Sequence, residues 1–184
     1  MLVYLMQHGP CLPEELDPAR PLSPVGRDLV RRSARGLRAL GLGFDLVVAS
    51  PKLRALQTAR LVAEVLAKGG TPGAEPGERQ GEGPDGPVAP AAGGEVLADD
   101  AFLPLADPAS GLAFLRRCAD VERVFVAGHL PNLARLASRL LTPGPEVNLA
   151  FEHGGLVCVE TTLGPAPGRL RLLLPAAVLH AAAG

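Results

Sequence analysis

Short apolar runs that alternate with longer amphipathic segments leave few folds open to this chain. Residues 2–6 and 45–49 are apolar runs rich in residues that favour β-strands. The segment between them predicts a helix, which begins at Pro24 after the N-cap residue Ser23 and ends before Gly41. The apolar face predicted for this helix comprises Val25, Leu29, Leu37 and Leu40. Strands and helices in alternation predict a mostly parallel sheet with right-handed crossovers.

The same alternation continues through the rest of the chain. Ser50 and Pro51 repeat the capping pattern of the first helix and predict a second helix that runs to about Leu66. The remaining predicted elements are a short strand over residues 101–103, a helix from Asp107 to about Cys118, a strand over 123–127, a helix over 131–141, and two strands over 156–161 and 169–174 joined as a hairpin. The expected fold class is therefore α/β, with three layers in which helices flank a mostly parallel central sheet.

The chain is long enough for one domain with a sizeable core, since 47% of its 184 residues are hydrophobic. Residues 69–95 differ from the rest, because fourteen of these 27 residues are glycine or proline and none is aromatic. Such a segment cannot bury enough apolar surface to offset its ordering entropy. We therefore expect a single domain over residues 1–184 with a flexible insertion at 69–95, which is either a plain loop or a lid.

The net charge and the cysteines indicate which partners and which cellular compartment to expect. The formal net charge of -1 does not favour nucleic acid or a membrane surface as a partner. Cys11, Cys118 and Cys158 are far apart and form no C-x-x-C pair, which favours reduced thiols over disulfides or a zinc site. The N-terminal apolar run is too short for a signal peptide, and no stretch is long enough to span a bilayer. These features predict a cytoplasmic protein.

Two histidines occupy equivalent places in the predicted sheet. His8 follows the first strand, His129 follows the strand over residues 123–127, and each lies beside a glycine. The carboxyl ends of parallel strands lie at one edge of the sheet, and ligands bind there. One histidine in such a position is most simply a polar residue that ends a strand. Two at the same edge favour a shared functional site.

Arg54 adds a cationic group to this edge. It falls in the first turn of the second predicted helix, directly after the second strand. A helix N-terminus offers unpaired N–H groups and partial positive charge, and arginine adds a forked donor that is always charged. Together His8, His129 and Arg54 predict a pocket for a phosphoryl group. The chain has no P-loop, dinucleotide-binding glycine motif or nucleophile elbow, and a metal hydrolase would need a further strong ligand nearby.

Five segments match the motifs of one family, in the order in which that family has them. They are residues 3–9 (VYLMQHG), 20–26 (RPLSPVG), 50–59 (SPKLRALQTA), 102–104 (FLP) and 128–131 (GHLP). Each segment is weak evidence alone, but the ordered set is specific and extends over most of the chain outside residues 69–95. On these segments the chain resembles the histidine phosphatase (phosphoglycerate mutase-like) superfamily, in particular the short bacterial phosphohistidine phosphatases of the SixA type.

The resemblance implies a fold, an activity and a role for each motif residue. His8 would be the nucleophile that accepts the phosphoryl group and forms a covalent phosphohistidine, which water then hydrolyses. His129 and Arg54 would hold the phosphate oxygens, and Arg20 would assist them. The family's chemistry requires no metal and no cofactor, and its partners would be a phosphorylated histidine-containing protein or a small phosphorylated substrate.

The chain departs from the family at one position, because Gln7 stands where the family motif has an arginine. A glutamine amide still donates an N–H bond, but it carries no charge and no guanidinium fork. A lost charged hydrogen bond is worth about 1.5–3 kcal/mol, which corresponds to roughly ten- to a hundredfold in rate. The sequence therefore predicts a slower phosphatase, and it leaves open a phospholigand-binding pseudoenzyme in which the same pocket binds without turnover.

The proton donor is less evident than the nucleophile. Family members that cleave phosphate monoesters use a carboxylic acid after the second helix, and that region here is the insertion, followed by Asp99 and Asp100. A phosphohistidine leaves as an imidazole, which needs less help than an alkoxide. The missing acid therefore favours phosphohistidine over small phosphate monoesters, and a small-molecule phosphomonoesterase remains the alternative.

Cys11, His153 and His180 could also be functional, but each has a simpler structural interpretation. Cys11 lies close to His8 along the chain and could face the pocket, although a loop cysteine is more often only packed. His153 precedes a predicted strand and could line the rim, but a turn residue is the simpler interpretation. His180 belongs to an alanine-rich tail that is expected to be solvated.

Overall fold

The structure is a computed structural model, and it describes residues 1–67 and 95–184. In chain order its elements are β1 (Leu2–Gln7), α1 (Pro24–Ala39), β2 (Leu46–Ala49), α2 (Leu53–Ala67), β3 (Val96–Ala98), α3 (Pro108–Arg117), β4 (Arg123–Gly128), α4 (Asn132–Leu141), β5 (Leu156–Glu160), β6 (Arg169–Leu174) and α5 (Ala176–Ala182). Except for Glu95, the insertion predicted at 69–95 lies outside the described residues. Within the described part, no helix combines the length and the hydropathy that a membrane span requires.

The strands form a single sheet in the order β3-β2-β4-β1-β5-β6. β3, β2, β4 and β1 pair in parallel, whereas β5 is antiparallel to β1 and β6 is antiparallel to β5. The predicted α/β class and the antiparallel pairing of the last two strands are both confirmed. The arrangement places the carboxyl ends of β2, β4 and β1 side by side at one edge.

Two apolar cores lie on opposite faces of the sheet, because strand side chains alternate between the faces. Val3 and Leu5 of β1 face a core that is closed by α3 and α4. Tyr4 and Met6 face a second core that is closed by α1, α2 and α5. The three predicted layers are therefore present, and both faces of β1 and β4 are buried, as a parallel sheet requires.

The buried face of α1 differs from the predicted face. Val25 and Leu40 are 72% and 49% exposed, whereas Val30 and Ala34 are fully buried. Gly26 explains the rotation, since a Cβ atom built on it would lie 1.9 Å from the carbonyl oxygen of Pro10. Gly26, which has no side chain, therefore meets this loop. The predicted face is confirmed at Leu37, which is fully buried, and at Leu29, which packs against the core, and it is wrong at Val25 and Leu40.

Three local predictions are corrected by the structure. The short strand is β3, at Val96–Ala98, and not residues 101–103; those residues follow it in a 3₁₀ turn capped by Asp99. α2 begins at Leu53 rather than directly after Ser50. The alanine-rich tail forms α5, in which His180 is half-buried and contacts α1, so the prediction of a solvated tail was wrong.

Candidate active site

The residues that directly follow three parallel strands lie together at the carboxyl edge of the sheet. His8 follows β1, Ser50 follows β2 and His129 follows β4. The main-chain N–H of His8 donates to Gly128 O (3.1 Å) and that of Ser50 donates to Ala127 O (3.0 Å), so the strand pairing extends up to the site. Two of the predicted residues, His8 and His129, are thereby brought into contact. Their ring centroids are 4.8 Å apart, with the planes at 64°.

Hydrogen bonds fix the tautomer of His8. Its Nδ1 lies 2.7 Å from the carbonyl oxygen of Gly9, which can only accept, so Nδ1 carries the proton. Arg54 Nε donates to His8 Nε2 over 3.1 Å, and Nε2 therefore holds an unprotonated electron pair. The side chain has one nitrogen tied to the backbone and the other facing a guanidinium.

The electrostatic environment keeps His8 neutral. Burial lowers its pKa to about 4, against the bond from Nδ1 to Gly9, which raises it. The positive charges of Arg54, His153 and Arg20 lower that pKa further. At neutral pH His8 is therefore uncharged, and fixed positive charge surrounds it.

His129 is the more deeply buried of the pair, at 2% exposure. Its Nε2 lies 3.0 Å from the Ser50 hydroxyl, whereas its buried Nδ1 has no hydrogen-bond partner among the described residues. Burial lowers the pKa of His129 to about 3, and the charges of His8, Arg54 and Lys52 add to the shift. Ser50 thus orients this histidine and does not cap α2, contrary to the prediction.

A short chain of hydrogen bonds holds Arg54 against β1. The Thr58 hydroxyl donates to the carbonyl oxygen of Arg54 (2.8 Å) and accepts from the N–H of Gly9 (3.2 Å), so α2 is tied to the turn after His8. Position 9 has to be glycine, since a Cβ there would lie 2.7 Å from Val30 Cγ2 and 2.9 Å from Gly26 O. The first turn of α2 and the end of β1 are therefore locked in register.

Arg20 also reaches the site, from the loop before α1. Its φ of 50° is unusual for a residue with a side chain, and its buried Nε has no partner among the described residues. Its Nη2 lies 3.8 Å from Cys11 Sγ. The charge of Arg20 lowers the pKa values of both His8 and Arg54.

Gln7 is the last residue of β1, and its main chain is tied to the opposite side of the site. Its carbonyl oxygen accepts from the N–H of Gly154 (3.0 Å), and it forms a bridge with His153. Its side-chain amide makes no hydrogen bond to the residues that the structure describes.

His153 belongs to the site, although the sequence favoured a turn residue. Its Nδ1 hydrogen-bonds the carbonyl oxygen of His8, and its ring centroid lies 5.3 Å from that of His8. β5 runs antiparallel beside β1, so the loop that precedes β5 meets the edge at which β1 ends. The available signal was Gly154, since His153 is the third histidine in the chain that lies beside a glycine.

In the described part of the chain, the two candidate proton donors, Asp99 and Asp100, make no hydrogen bond or ion pair with the histidines of the site. Asp99 caps the 3₁₀ turn, where its Oδ1 accepts from Ala101 N (2.8 Å), and Asp100 is exposed. In residues 1–67 and 95–184, no group of three or more histidine, cysteine or acidic side chains is arranged to hold a metal ion.

Comparisons with known proteins agree with this architecture. No protein-family model matches the sequence, and no curated protein matches it. The solved structure of the protein histidine phosphatase SixA complexed with tungstate matches with a TM-score of 0.72 and 24% identity, over 97% of this chain and 99% of that one.

Two further solved structures match over most of both chains. The protein assigned as phosphohistidine phosphatase SixA from Agrobacterium tumefaciens gives a TM-score of 0.66 at 18% identity, over 95% of this chain and 97% of its own. The alpha-ribazole phosphatase from Shigella flexneri gives 0.58 at 17%, over 96% and 97%. The chain therefore has the phosphoglycerate mutase-like α/β fold of these phosphatases.

Proposed function

We propose that this protein is a phosphatase of the histidine phosphatase superfamily that hydrolyses phosphohistidine through a covalent intermediate on His8. The single observation that carries this proposal is the state of His8: Nδ1 is bound to Gly9 O, and Nε2 keeps its electron pair beside Arg54. The protein would act as one domain in the cytoplasm, on a phosphorylated histidine-containing protein or a small phosphorylated compound.

The reaction would begin with a change of partner at Arg54. In the apo site its Nε–H is directed at His8 Nε2. A phosphoryl group that enters between them offers oxygen acceptors with greater charge, and the guanidinium would turn to these oxygens and release Nε2. The Nε2 pair would then attack phosphorus, the bond to the leaving group would break, and the phosphoryl group would remain on His8.

Fixed positive charge would supply most of the rate enhancement. Phosphoryl transfer spreads charge over three equatorial oxygens, so catalysis consists mainly of positioning and electrostatic stabilisation. Arg54 and Arg20 would contact these oxygens, and the unpartnered Nδ1 makes His129 a further candidate ligand. In agreement with an oxyanion pocket, the similar SixA structure was solved with tungstate, a tetrahedral oxyanion.

The test compares native protein with His8→Ala on a phosphohistidine peptide and on an aryl phosphate. We expect acid-labile phosphate on His8 during turnover of the native protein, and loss of at least about a thousandfold in kcat/KM for the variant. His180→Ala is the matched control, because that histidine lies on α5 and hydrogen-bonds Ser33. Activity that survives in His8→Ala would refute the proposal.

A phospholigand-binding pseudoenzyme is the second candidate, and Gln7 is the observation that favours it. The pocket would then bind phosphate or tungstate with an affinity that depends on Arg54, with neither turnover nor label on His8. Calorimetric titration of tungstate, run beside the phosphatase assay, separates the two functions, since only the enzyme shows both binding and label.

A further inference from the structure

We propose that His153 is a third catalytic histidine, which exchanges a proton first with the leaving group and then with the attacking water. With such a residue the site accepts phosphate monoesters as well as phosphohistidine. The proposal rests on the proposed role of His8 as the phosphoryl acceptor. It adds a proton-transfer residue from a loop for which the sequence favoured a turn residue over a residue at the rim of the pocket.

The backbone holds His153 in a defined place beside β1. His153 bridges Gln7, and the next N–H, that of Gly154, donates to the Gln7 carbonyl oxygen (3.0 Å). Gly154 has a φ of 72°, and a Cβ there would lie 2.3 Å from Leu29 Cδ2. Only glycine satisfies both conditions, so the turn that presents His153 is fixed by packing.

The two ring nitrogens of His153 have different environments. Nδ1 donates to the carbonyl oxygen of His8, which can only accept. Nε2, on the far side of the ring, makes no hydrogen bond to the residues that the structure describes, and the side chain is only half-buried. The ring centroid is 5.3 Å from that of His8, so one phosphoryl group and its leaving atom can lie within reach of both rings. Nε2 is therefore free to carry and to accept a proton.

Neighbouring groups leave this role to His153. Among the described residues, the charged and titratable groups around His8 include Arg54 and Arg20, and the ring of His129 lies 4.8 Å from that of His8. The adjacent carboxylate, Glu152, is directed elsewhere, since its Oε1 accepts from the N–H of Ala176 at the start of α5. Asp99 follows β3 at the same edge, but its Oδ1 accepts from the N–H of Ala101 (2.8 Å). No carboxylate among residues 1–67 and 95–184 is among the groups that shift the pKa values of His8 and His129, whereas an imidazole can both give and take a proton.

The two half-reactions balance through one proton. In the first, the His8 Nε2 pair forms the bond to phosphorus, and the P–O bond of the monoester breaks. The leaving oxygen keeps the electron pair and takes the proton from Nε2 of His153. In the second, His153 Nε2 takes a proton from water while the water oxygen attacks phosphorus. The P–N bond breaks, its pair returns to His8, and inorganic phosphate leaves the site.

The test uses His153→Asn, because the Asn Nδ2 can replace the N–H that His153 donates to His8 O while no atom replaces Nε2. Turnover is measured on phenyl phosphate, a poor leaving group, and on dinitrophenyl phosphate, a good one that needs no acid. We expect a loss of about 10²-fold or more on phenyl phosphate and less than about threefold on dinitrophenyl phosphate. The decline of activity at high pH, where a general acid loses its proton, should disappear on phenyl phosphate in the variant.

His153→Ala removes both nitrogens and measures the positioning effect separately. It should add to the loss of His153→Asn equally on the two substrates. Equal losses on both substrates in His153→Asn, or unchanged activity, would overturn the role in proton transfer. Label on His8 in the same samples distinguishes the two levels of failure: if native protein acquires none, the proposed function of the site fails as well.

Discussion

The two ends of the parallel sheet are built on opposite electrostatic principles. At the amino end, Arg123 forms a bidentate ion pair with Asp45, with contacts of 2.6 and 3.2 Å, and the N-terminal ammonium group donates to Thr161 O. At the carboxyl end, two arginines share a space with buried histidines, and no acidic partner is described beside them. At the amino end these charged groups are paired, whereas at the carboxyl end positive charges lie near one another.

This difference shows where the protein gives up stability for function. Buried polar atoms without a partner and like charges in proximity destabilise a fold. At the carboxyl end both occur, at Arg20 Nε, at His129 Nδ1 and between Arg20 and Arg54. An oxyanion could accept from Arg20 Nε and from a protonated His129 Nδ1 and would offset the like charges of Arg20 and Arg54, so we expect an oxyanion as the ligand.

Removal of the Arg54 guanidinium should cost the most. In Arg54→Ala we expect kcat/KM on an aryl phosphate to fall about 10²- to 10³-fold, because fixed charge against the developing oxyanion is lost. Arg60→Ala, at an exposed position of the same helix, is the control and should retain activity. Since Arg54 forms no ion pair with an acid in the described part of the chain, Arg54→Ala should unfold at a urea concentration no lower than that of the native protein. A large loss of stability without loss of activity would contradict the comparison.

Acid should destabilise the protein through its carboxyl end. The pKa values of His8 and His129 are lowered by burial to about 4 and about 3, from 6.5. Below pH 6.5 the unfolded chain binds protons at both residues and the folded chain does not. The free energy of unfolding therefore decreases as the pH is lowered from 6.5 to the pKa values of the folded state. Between pH 7 and 5 we expect a loss of about 2–4 kcal/mol.

Urea unfolding at pH 7 and at pH 5 measures this loss. His129→Gln removes one of the two groups, so the difference between the two pH values should shrink to about half. The window lies above the pH at which carboxylates titrate, so Asp45 at the amino end does not contribute. Equal pH dependence in the native and variant proteins would show that buried histidines do not set the acid sensitivity.

Gln7→Arg should increase the positive charge at the carboxyl end of the sheet. Because the Gln7 amide carries no charge, a guanidinium at this position adds a charged donor worth about 1.5–3 kcal/mol to the phosphate contacts. We expect turnover to rise roughly ten- to a hundredfold on a phosphohistidine peptide. Gln7→Lys is the matched variant, which adds charge without the fork and should gain less. Absence of any gain, together with an inactive native protein, would favour the pseudoenzyme.

Local signals were sufficient for the parts of the site that follow strands. His8, His129 and Arg54 each belong to a short motif next to a strand or helix that the local sequence predicts. The parallel sheet then brings the three residues to one edge. Ser23 likewise caps α1 as its sequence predicts, with its hydroxyl accepting from Gly26 N (3.0 Å). Propensity and capping act over a few residues, so a single sequence reveals them.

Long-range packing decided the features that the sequence did not reveal. His153 reaches His8 only because β5 pairs antiparallel with β1, across some 150 positions of chain. The buried face of α1 is set by the approach of Gly26 to Pro10, and α5 is held by contacts such as that of His180 with Ser33. These arrangements depend on tertiary neighbours, and local hydrophobic patterns do not specify them.

The smallest effect should come from the amino end. Arg123 and Asp45 are 44% and 26% exposed, so solvent screens their ion pair, and Asp45→Ala should cost only about 0.5–1 kcal/mol in urea unfolding. Glu160→Ala is the matched control, because the contact of Glu160 with Arg171 is longer, at 3.3 Å, and more exposed. The free energy of unfolding of this variant should be close to that of the native protein. Neither change should alter kcat/KM, since both pairs lie at the end of the sheet opposite the histidines. If Asp45→Ala lowered turnover as strongly as Arg54→Ala, the two ends would be coupled, and the division of stability from function between them would be wrong.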